Sequence, residues 1–422
     1  MHLLLKQVHI IDPASEFNGQ QKDILLKDGK IASIGTKISA PGAEVVEEAG
    51  LHVSPGWVDI GLQIADPGLE HREDMDTALA AAARGGYTAI APFPNTEPVI
   101  HTKAALNYWN NRSRGQLVDV LPIGAMTLDC KGKDITEMID MHRAGAIAFS
   151  DGEHSTQNNG MMMRALQYVK AFGGTIINRP FDHSISGGGH LHEGLISTQM
   201  GIMGISHLAE ELMVMRDINL AAYTDSKLHI HGVSTAASVD LVRQAKADGL
   251  EVSCSVPALN LVFEDKVLAG FDALYKVLPP LRERSDREAL LAGLIDGTID
   301  MVISNHVPLE EERKKLEFAY ADFGAIGLES TYALINTHLS LSSEQIVDLM
   351  AIGPRKVFAL EAVTIAENSS AELSLFIPGT EWTFELSKLA SKSRNTPLSG
   401  KPLKGKVFGV INNSKSHFFK DQ

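Results

Sequence analysis

The run Pro55-Gly56-Trp57-Val58-Asp59-Ile60-Gly61-Leu62-Gln63 decides how the chain is read. It is short, almost wholly apolar and strand-like, and it gives way to Asp74–Arg84, where apolar residues recur at helical spacing. The alternation then repeats. Tyr87–Ala91, Val118–Ile123, Ala146–Phe149, Gly174–Ile177, Lys227–Ile230, Glu251–Val256 and Asp300–Ile303 read as strands, with helices over segments such as Ile135–Arg143, Met161–Phe172, Ala236–Asp248 and Asp286–Ile295. Counting Trp57–Leu62 as the first, about eight strands fall within roughly 300 residues, the number and length a closed (β/α)8 barrel requires. An open doubly wound sheet is the alternative. No G-x-G-x-x-G follows an early strand, however, and Gly187-Gly188-Gly189 lies in a loop-like stretch.

Before this region the texture differs. Leu3–Ile11, Asp23–Leu26, Lys30–Ile34 and Val45–Glu47 are short alternating runs broken by Gly and Pro. Strand-like pieces return at Glu372–Ile377, Glu381–Glu385 and Gly405–Ile411, around the polar, basic stretch Ser387–Asn395. The expected architecture is α/β: a (β/α)8 TIM barrel over residues 54–365, bracketed by a small β-sandwich-like domain built from both chain termini, residues 1–53 plus 366–422.

Length and charge narrow the function. At 422 residues a single small module is excluded. Lys+Arg 38 against Asp+Glu 52 gives a net charge of −14 with no basic block, which excludes nucleic acid as a partner. The 44% hydrophobic and 21% charged fractions are those of an ordinary globular chain. Two cysteines, Cys130 and Cys254, cannot build a disulfide framework or a cysteine-rich zinc site and fit a reducing compartment. Met1-His2-Leu3-Leu4-Leu5-Lys6 lacks the marks of a signal peptide, and no apolar stretch approaches ~18 residues, so a cytoplasmic chain away from the membrane is expected.

Enzymes on such barrels carry their chemistry at the C-terminal strand ends. Here these are Asp59–Gln63, Pro92–Thr96, Phe149–Gly152, Ile177–Arg179, His229–His231 and Ser304–Pro308. The flanking segments Pro55-Gly56-Trp57-Val58-Asp59, Pro67-Gly68-Leu69-Glu70, Ala83-Arg84-Gly85-Gly86-Tyr87-Thr88 and Pro94-Asn95-Thr96-Glu97-Pro98-Val99 resemble the barrel of a dihydroorotase of the amidohydrolase superfamily. So do Val233-Ser234-Thr235-Ala236, Pro279-Pro280-Leu281-Arg282, Phe323–Glu329 and Ser391–Pro397, in order along essentially the whole chain.

The resemblance implies one or two zinc ions whose bound hydroxide attacks a cyclic amide. In that pattern the ligands are a His-x-His pair on the first strand, an Asp or modified Lys on a middle strand, two further histidines, and a last-strand Asp that also moves the proton. This chain departs from it: Gly61 and Gln63 replace His-x-His, Asn178 replaces the next histidine, and Asn305 replaces the last-strand Asp. Asp151 and His231 alone remain. If a four-ligand zinc site is worth roughly 10–16 kcal/mol, losing two ligands costs about 6 kcal/mol, or about four decades of affinity. Asn305 cannot titrate near neutral pH as a carboxylate would. The family's substrate-carboxylate residues, an Arg and two Asn, correspond to Ala65, Asn95 and Leu278, so the guanidinium clamp is also gone.

The retained residues have plain structural explanations: a turn at Asp151, a hydrogen-bonded core histidine at His231, a tight turn at Asn95, and a non-catalytic His306 beside Asn305. A relocated metal on Asp182-His183 and His190-Leu191-His192-Glu193 is the sharpest rival, although the sequence supplies no third ligand near them. The run Met161-Met162-Met163 is expected to pack a core helix face. No catalytic residues and no cofactor are expected. The resemblance implies a non-catalytic scaffold or regulatory partner of aspartate carbamoyltransferase in pyrimidine biosynthesis, within a homo- or hetero-oligomer. The alternatives are an active dihydroorotase or other cyclic amidase with an atypical zinc site on Asp151 and His231, and a small-molecule sensor using Asn95.

Overall fold

The alternating pattern closes into a barrel in the computed structural model, which describes residues 1–419. Its strands are Trp57–Leu62, Tyr87–Pro92, Ala148–Phe149, Thr175–Asn178, Lys227–Ile230, Val252–Pro257 and Met301–Ile303, with a divided third strand between the second and fourth. All pair in parallel. The third strand departs from the expected Val118–Ile123. It splits into Asp119–Val120, bonded to the second strand, and Ile123–Gly124, bonded to the fourth. Pro122 lies in the break, where a residue with no N–H cannot continue a ladder.

The first and last strands are joined by side chains as well as backbone. Gln63 N donates to the His306 carbonyl at 2.9 Å. The Asp59 carboxylate accepts from Ser304 N at 2.8 Å and Ser304 Oγ at 2.5 Å. Complete burial pushes the Asp59 carboxyl up to about 6 against these bonds.

Helices cover the barrel where the sequence caps them. Met75–Arg84 starts at Asp74, which accepts from Thr77 N while Thr77 Oγ1 accepts from Asp74 N, a capping box. Asn158 caps Asn159–Lys170, whose Met161 and Met162 are buried as expected of core-facing residues.

Both chain ends build one eight-stranded sheet. Its strands are His2–Ile10, Gln21–Lys27, Lys30–Gly35, Glu44–Glu47, His52–Pro55, Leu373–Thr383, Pro402–Asn412 and Lys415–Phe418. The two pieces expected at Glu372–Ile377 and Glu381–Glu385 form a single strand with a register shift between Ile377 and Glu381. His52–Pro55 pairs with Leu373–Phe376, so the two ends of the chain meet directly. Leu3, Leu5, Ile24, Leu373 and Leu375 form this sheet's own core. No helix among the described residues is long and apolar enough to cross a membrane.

Candidate functional site

At the end of the first strand Gly61 has φ +76°, a left-handed conformation that glycine alone adopts freely. A Cβ placed there would lie 2.1 Å from His231 Cε1, because the imidazole of His231 fills the space beside the glycine. The ring is buried, meets Phe93 edge-on at 4.8 Å between centroids, and has Nδ1 3.4 Å from Ser255 Oγ. Its Nε2 is buried with no hydrogen-bond partner. Burial first, then the charges of His229 and Arg179, holds His231 well below the usual imidazole range, so the ring is neutral.

The other family positions are committed to the frame. The Asn178 carboxamide donates to Asp217 Oδ2 at 2.6 Å and accepts from Thr156 N at 3.2 Å, which occupies both ends. Asp151 accepts from Thr127 N at 2.8 Å and Thr127 Oγ1 at 2.6 Å, and burial raises its carboxyl despite those bonds. Asn95 does more than shape its own turn: Nδ2 donates to the Asp151 carbonyl and Oδ1 accepts from Glu153 N, each at 3.0 Å. Asn305 Nδ2 donates to the Leu278 carbonyl at 3.2 Å. Ala65 is buried and offers no polar side chain, and the Gln63 carboxamide makes no hydrogen bond among the described residues. His306 Nδ1 accepts from Gly327 N at 3.2 Å, which leaves the proton on Nε2, 3.7 Å from Glu73 Oε2.

One residue of this mouth was quoted in the sequence without a role. Arg179 follows Asn178 at the end of the fifth strand, is 9% exposed, and donates from Nη2 to the Leu278 carbonyl at 2.5 Å. Burial lowers its pKa, and its charge disfavours protonation of His231. No sequence signal short of the fold could show that this cation lacks an acidic partner.

Zinc needs three or four N, O or S donors converging tetrahedrally. The residues at this mouth do not fit it. His231 lies against Gly61, the Asn178 and Asp151 oxygens are hydrogen-bonded elsewhere, and the Arg179 cation stands close to the one imidazole.

The rival loop cluster gains what the sequence did not show. His192, Asp265 and Glu283 bring ligand atoms within 4.8 Å of one another, whereas His190 turns to Lys276 Nζ at 3.3 Å. Arg282 settles the chemistry. Its Nη1 lies 3.1 Å from His192 Nδ1, and a guanidinium only donates, so Nδ1 accepts and the ring proton sits on Nε2, 3.8 Å from Glu283 Oε1. An N–H cannot ligate a metal. Burial and Arg282 push His192 down to about 4.

Comparison with known proteins bears on the whole chain. Residues 50–238 match the family model "Dihydro-orotase-like". A protein named dihydroorotase from Pelotomaculum thermopropionicum is 40% identical over 415 residues, covering 97% of each chain. Another from Geobacter sp. (strain M21) is 37% identical over 417 residues, covering 97% of this chain and 98% of its own. Among solved structures, the L-hydantoinase (dihydropyrimidinase) of Arthrobacter aurescens superposes with a TM-score of 0.88 at 24% identity, over 100% of this chain and 97% of that one. That likeness shows the amidohydrolase barrel fold. With two relatives well above a third identical along almost their full length, the chain belongs to the dihydroorotase family.

Proposed function

We propose that this family member does not hydrolyse a cyclic amide through zinc and serves pyrimidine biosynthesis as a scaffold or regulatory partner of aspartate carbamoyltransferase. The observation that carries the loss of hydrolysis is the His231 imidazole lying 2.1 Å from where a Gly61 Cβ would be, so the space of a first-strand ligand is filled by another side chain. The transferase rests on resemblance to inactive dihydroorotase-like chains that associate with it. The test is metal analysis of the purified chain, an assay of dihydroorotate and carbamoyl aspartate interconversion, and purification with native partners. Absent zinc, absent turnover and a co-purifying transferase are expected. Stoichiometric zinc with turnover at neutral pH overturns the proposal.

A second function is favoured by a specific finding: the relatives at 40% and 37% identity are named dihydroorotase. As an active enzyme this chain would use zinc on Asp151 and His231. That requires His231 to swing away from Gly61 and Asp151 to release Thr127. The same assay separates the two.

A further inference from the structure

We propose that Lys314 is a site of covalent acylation, its side-chain amine taking the acyl group of a small acyl phosphate that enters the cavity the residue lines. This goes beyond the function proposed above and does not depend on it, because none of Gly61, Asp151, Asn178, Arg179 or His231 lines that cavity.

The cavity measures about 680 Å³. Its wall comes from residues 309–316 after the last barrel strand, residues 271–274, and residues 392–395 of the basic stretch that stands out in the sequence. Lys314 is 6% exposed on this wall. Its Nζ donates to the carbonyls of Lys276 at 3.2 Å and Asp322 at 2.9 Å, and it has no carboxylate partner among the described residues. Two acceptors match the two N–H bonds of a neutral amine and leave its lone pair uncommitted.

Lys276 gives the contrast. Its Nζ meets three acceptors, the carbonyls of Phe318 at 2.8 Å and Ala319 at 3.2 Å and His190 Nδ1 at 3.3 Å, and it lies over the rings of Phe318 and Phe323. Those are the partners of an ammonium ion. Burial pushes both side chains down to about 8, and at Lys314 the charge of Lys276 adds to the fall while the Asp322 and Asp272 carboxylates oppose it. The acceptors decide which of the two gives up its proton first, and that is Lys314.

The other charges on the wall point to the leaving group. Lys315 is paired with Glu311, Lys392 with Asp74 and Glu310 with Arg72, and Asp272 accepts from Leu274 N. Arg394 donates to the carbonyls of Ser391 and Ser393 and has no carboxylate partner among the described residues, so its fork is available to phosphate oxygens. In the step, the lone pair of the Lys314 nitrogen forms the N–C bond at the acyl carbon, and the C–O bond to phosphate breaks with its electrons on oxygen. One nitrogen proton leaves with inorganic phosphate, and nothing is oxidised or reduced. The amide that forms keeps one N–H for a carbonyl.

The test incubates the full chain with acetyl phosphate and maps acetylated lysines by mass spectrometry against time. An ordinary lysine titrates near 10.4, so at pH 8 an amine that titrates there presents on the order of 100-fold more neutral nitrogen, of which lower basicity takes back part. Lys314 should therefore be acetylated at least about 10-fold faster than exposed Lys315, and Lys276, off the cavity wall, should stay unlabelled. Unfolding in urea should abolish the preference. Arg394→Gln, checked for folding by a thermal melt, should slow labelling by acetyl phosphate at least about 5-fold and leave labelling by phenyl acetate, which carries no phosphate, unchanged. Inorganic phosphate should compete with the first reagent and not the second, and it decides the class on the natural chain if the variant is not folded. Acetylation of Lys314 no faster than of Lys315, or a preference that survives urea, overturns the proposal and leaves Lys314 as a strut of its loop. Equal effects on the two reagents overturn the acyl phosphate class.

Discussion

Two buried polar networks in this molecule meet their obligations differently. Around Glu73 the carboxylate's own bonds are closed, although the Nε2 of the neighbouring His306 is buried without a hydrogen-bond partner. The Glu73 carboxylate accepts from Thr77 Oγ1, Ser391 Oγ and Lys392 N, with His306 beside it. Glu329 accepts from Ala390 N and Ser391 N at 3.0 Å, and Asn395 Nδ2 donates to the carbonyls of Val307 and Gly324. Burial opposes ionisation of Glu73, but contact with His306, Ser391 and Thr77 outweighs it and holds the group below the ordinary carboxylate range. At the mouth, by contrast, Arg179 has one acceptor and His231 Nε2 none. A carboxylate with its bonds met helps specify a fold, whereas an unmet buried polar group is a cost that the rest of the fold must carry.

The sharpest way to break that contrast is Glu73→Ala. It strands His306, Ser391 and the Lys392 amide, and urea denaturation should show a loss of about 4 kcal/mol. A loss below 1 kcal/mol would mean the network contributes little to the fold.

Gly61→His should follow at about 3 kcal/mol, from a left-handed backbone and an overlap with His231. Zinc uptake by that single variant, measured by metal analysis, would contradict the filled mouth.

His229 sharpens the comparison through pH. It is buried against Ser253 and Ser255 hydroxyls, and burial, then Lys246, pushes it down to about 3 from 6.5. The unfolded chain takes up this proton below pH 6.5 and the folded chain does not until about 3, so the contribution is full above 6.5 and declines as pH falls, by about 1.4 kcal/mol per unit. A His229→Gln variant should therefore lose less stability on acidification through that window than the natural chain, and parallel curves would refute it.

Smallest, Arg179→Met should raise stability by about 1 kcal/mol, because an uncompensated charge is replaced by an apolar chain of similar reach. A lower melting temperature would indicate that Arg179 is a structural strut.

Much of the barrel was legible because its strands are brief apolar runs ending in polar residues, and Lys227–Ile230 matched residue for residue. The third strand was not, since Pro122 divides a stretch that reads as continuous. At the site, Gly61 could be seen to lack a donor, but not that His231 occupies its space, which depends on two strands far apart in the chain. Nor could Asp265 and Glu283 be placed beside His192, or Leu278 be recognised as a backbone acceptor. Alternation along the chain reports which residues face inward. It does not report which charges go unanswered once they do.

The glycine at position 61 has one more consequence. Any larger residue there meets an imidazole, and any smaller residue at 231 opens a hole beside a side chain that is only a hydrogen atom. Each single change of size at either position therefore passes through a less stable protein, so residues 61 and 231 are coupled and vary most easily together. The contact works as a latch: it fixes the end of the first strand against the His231 strand, and neither partner can change size without disturbing the other.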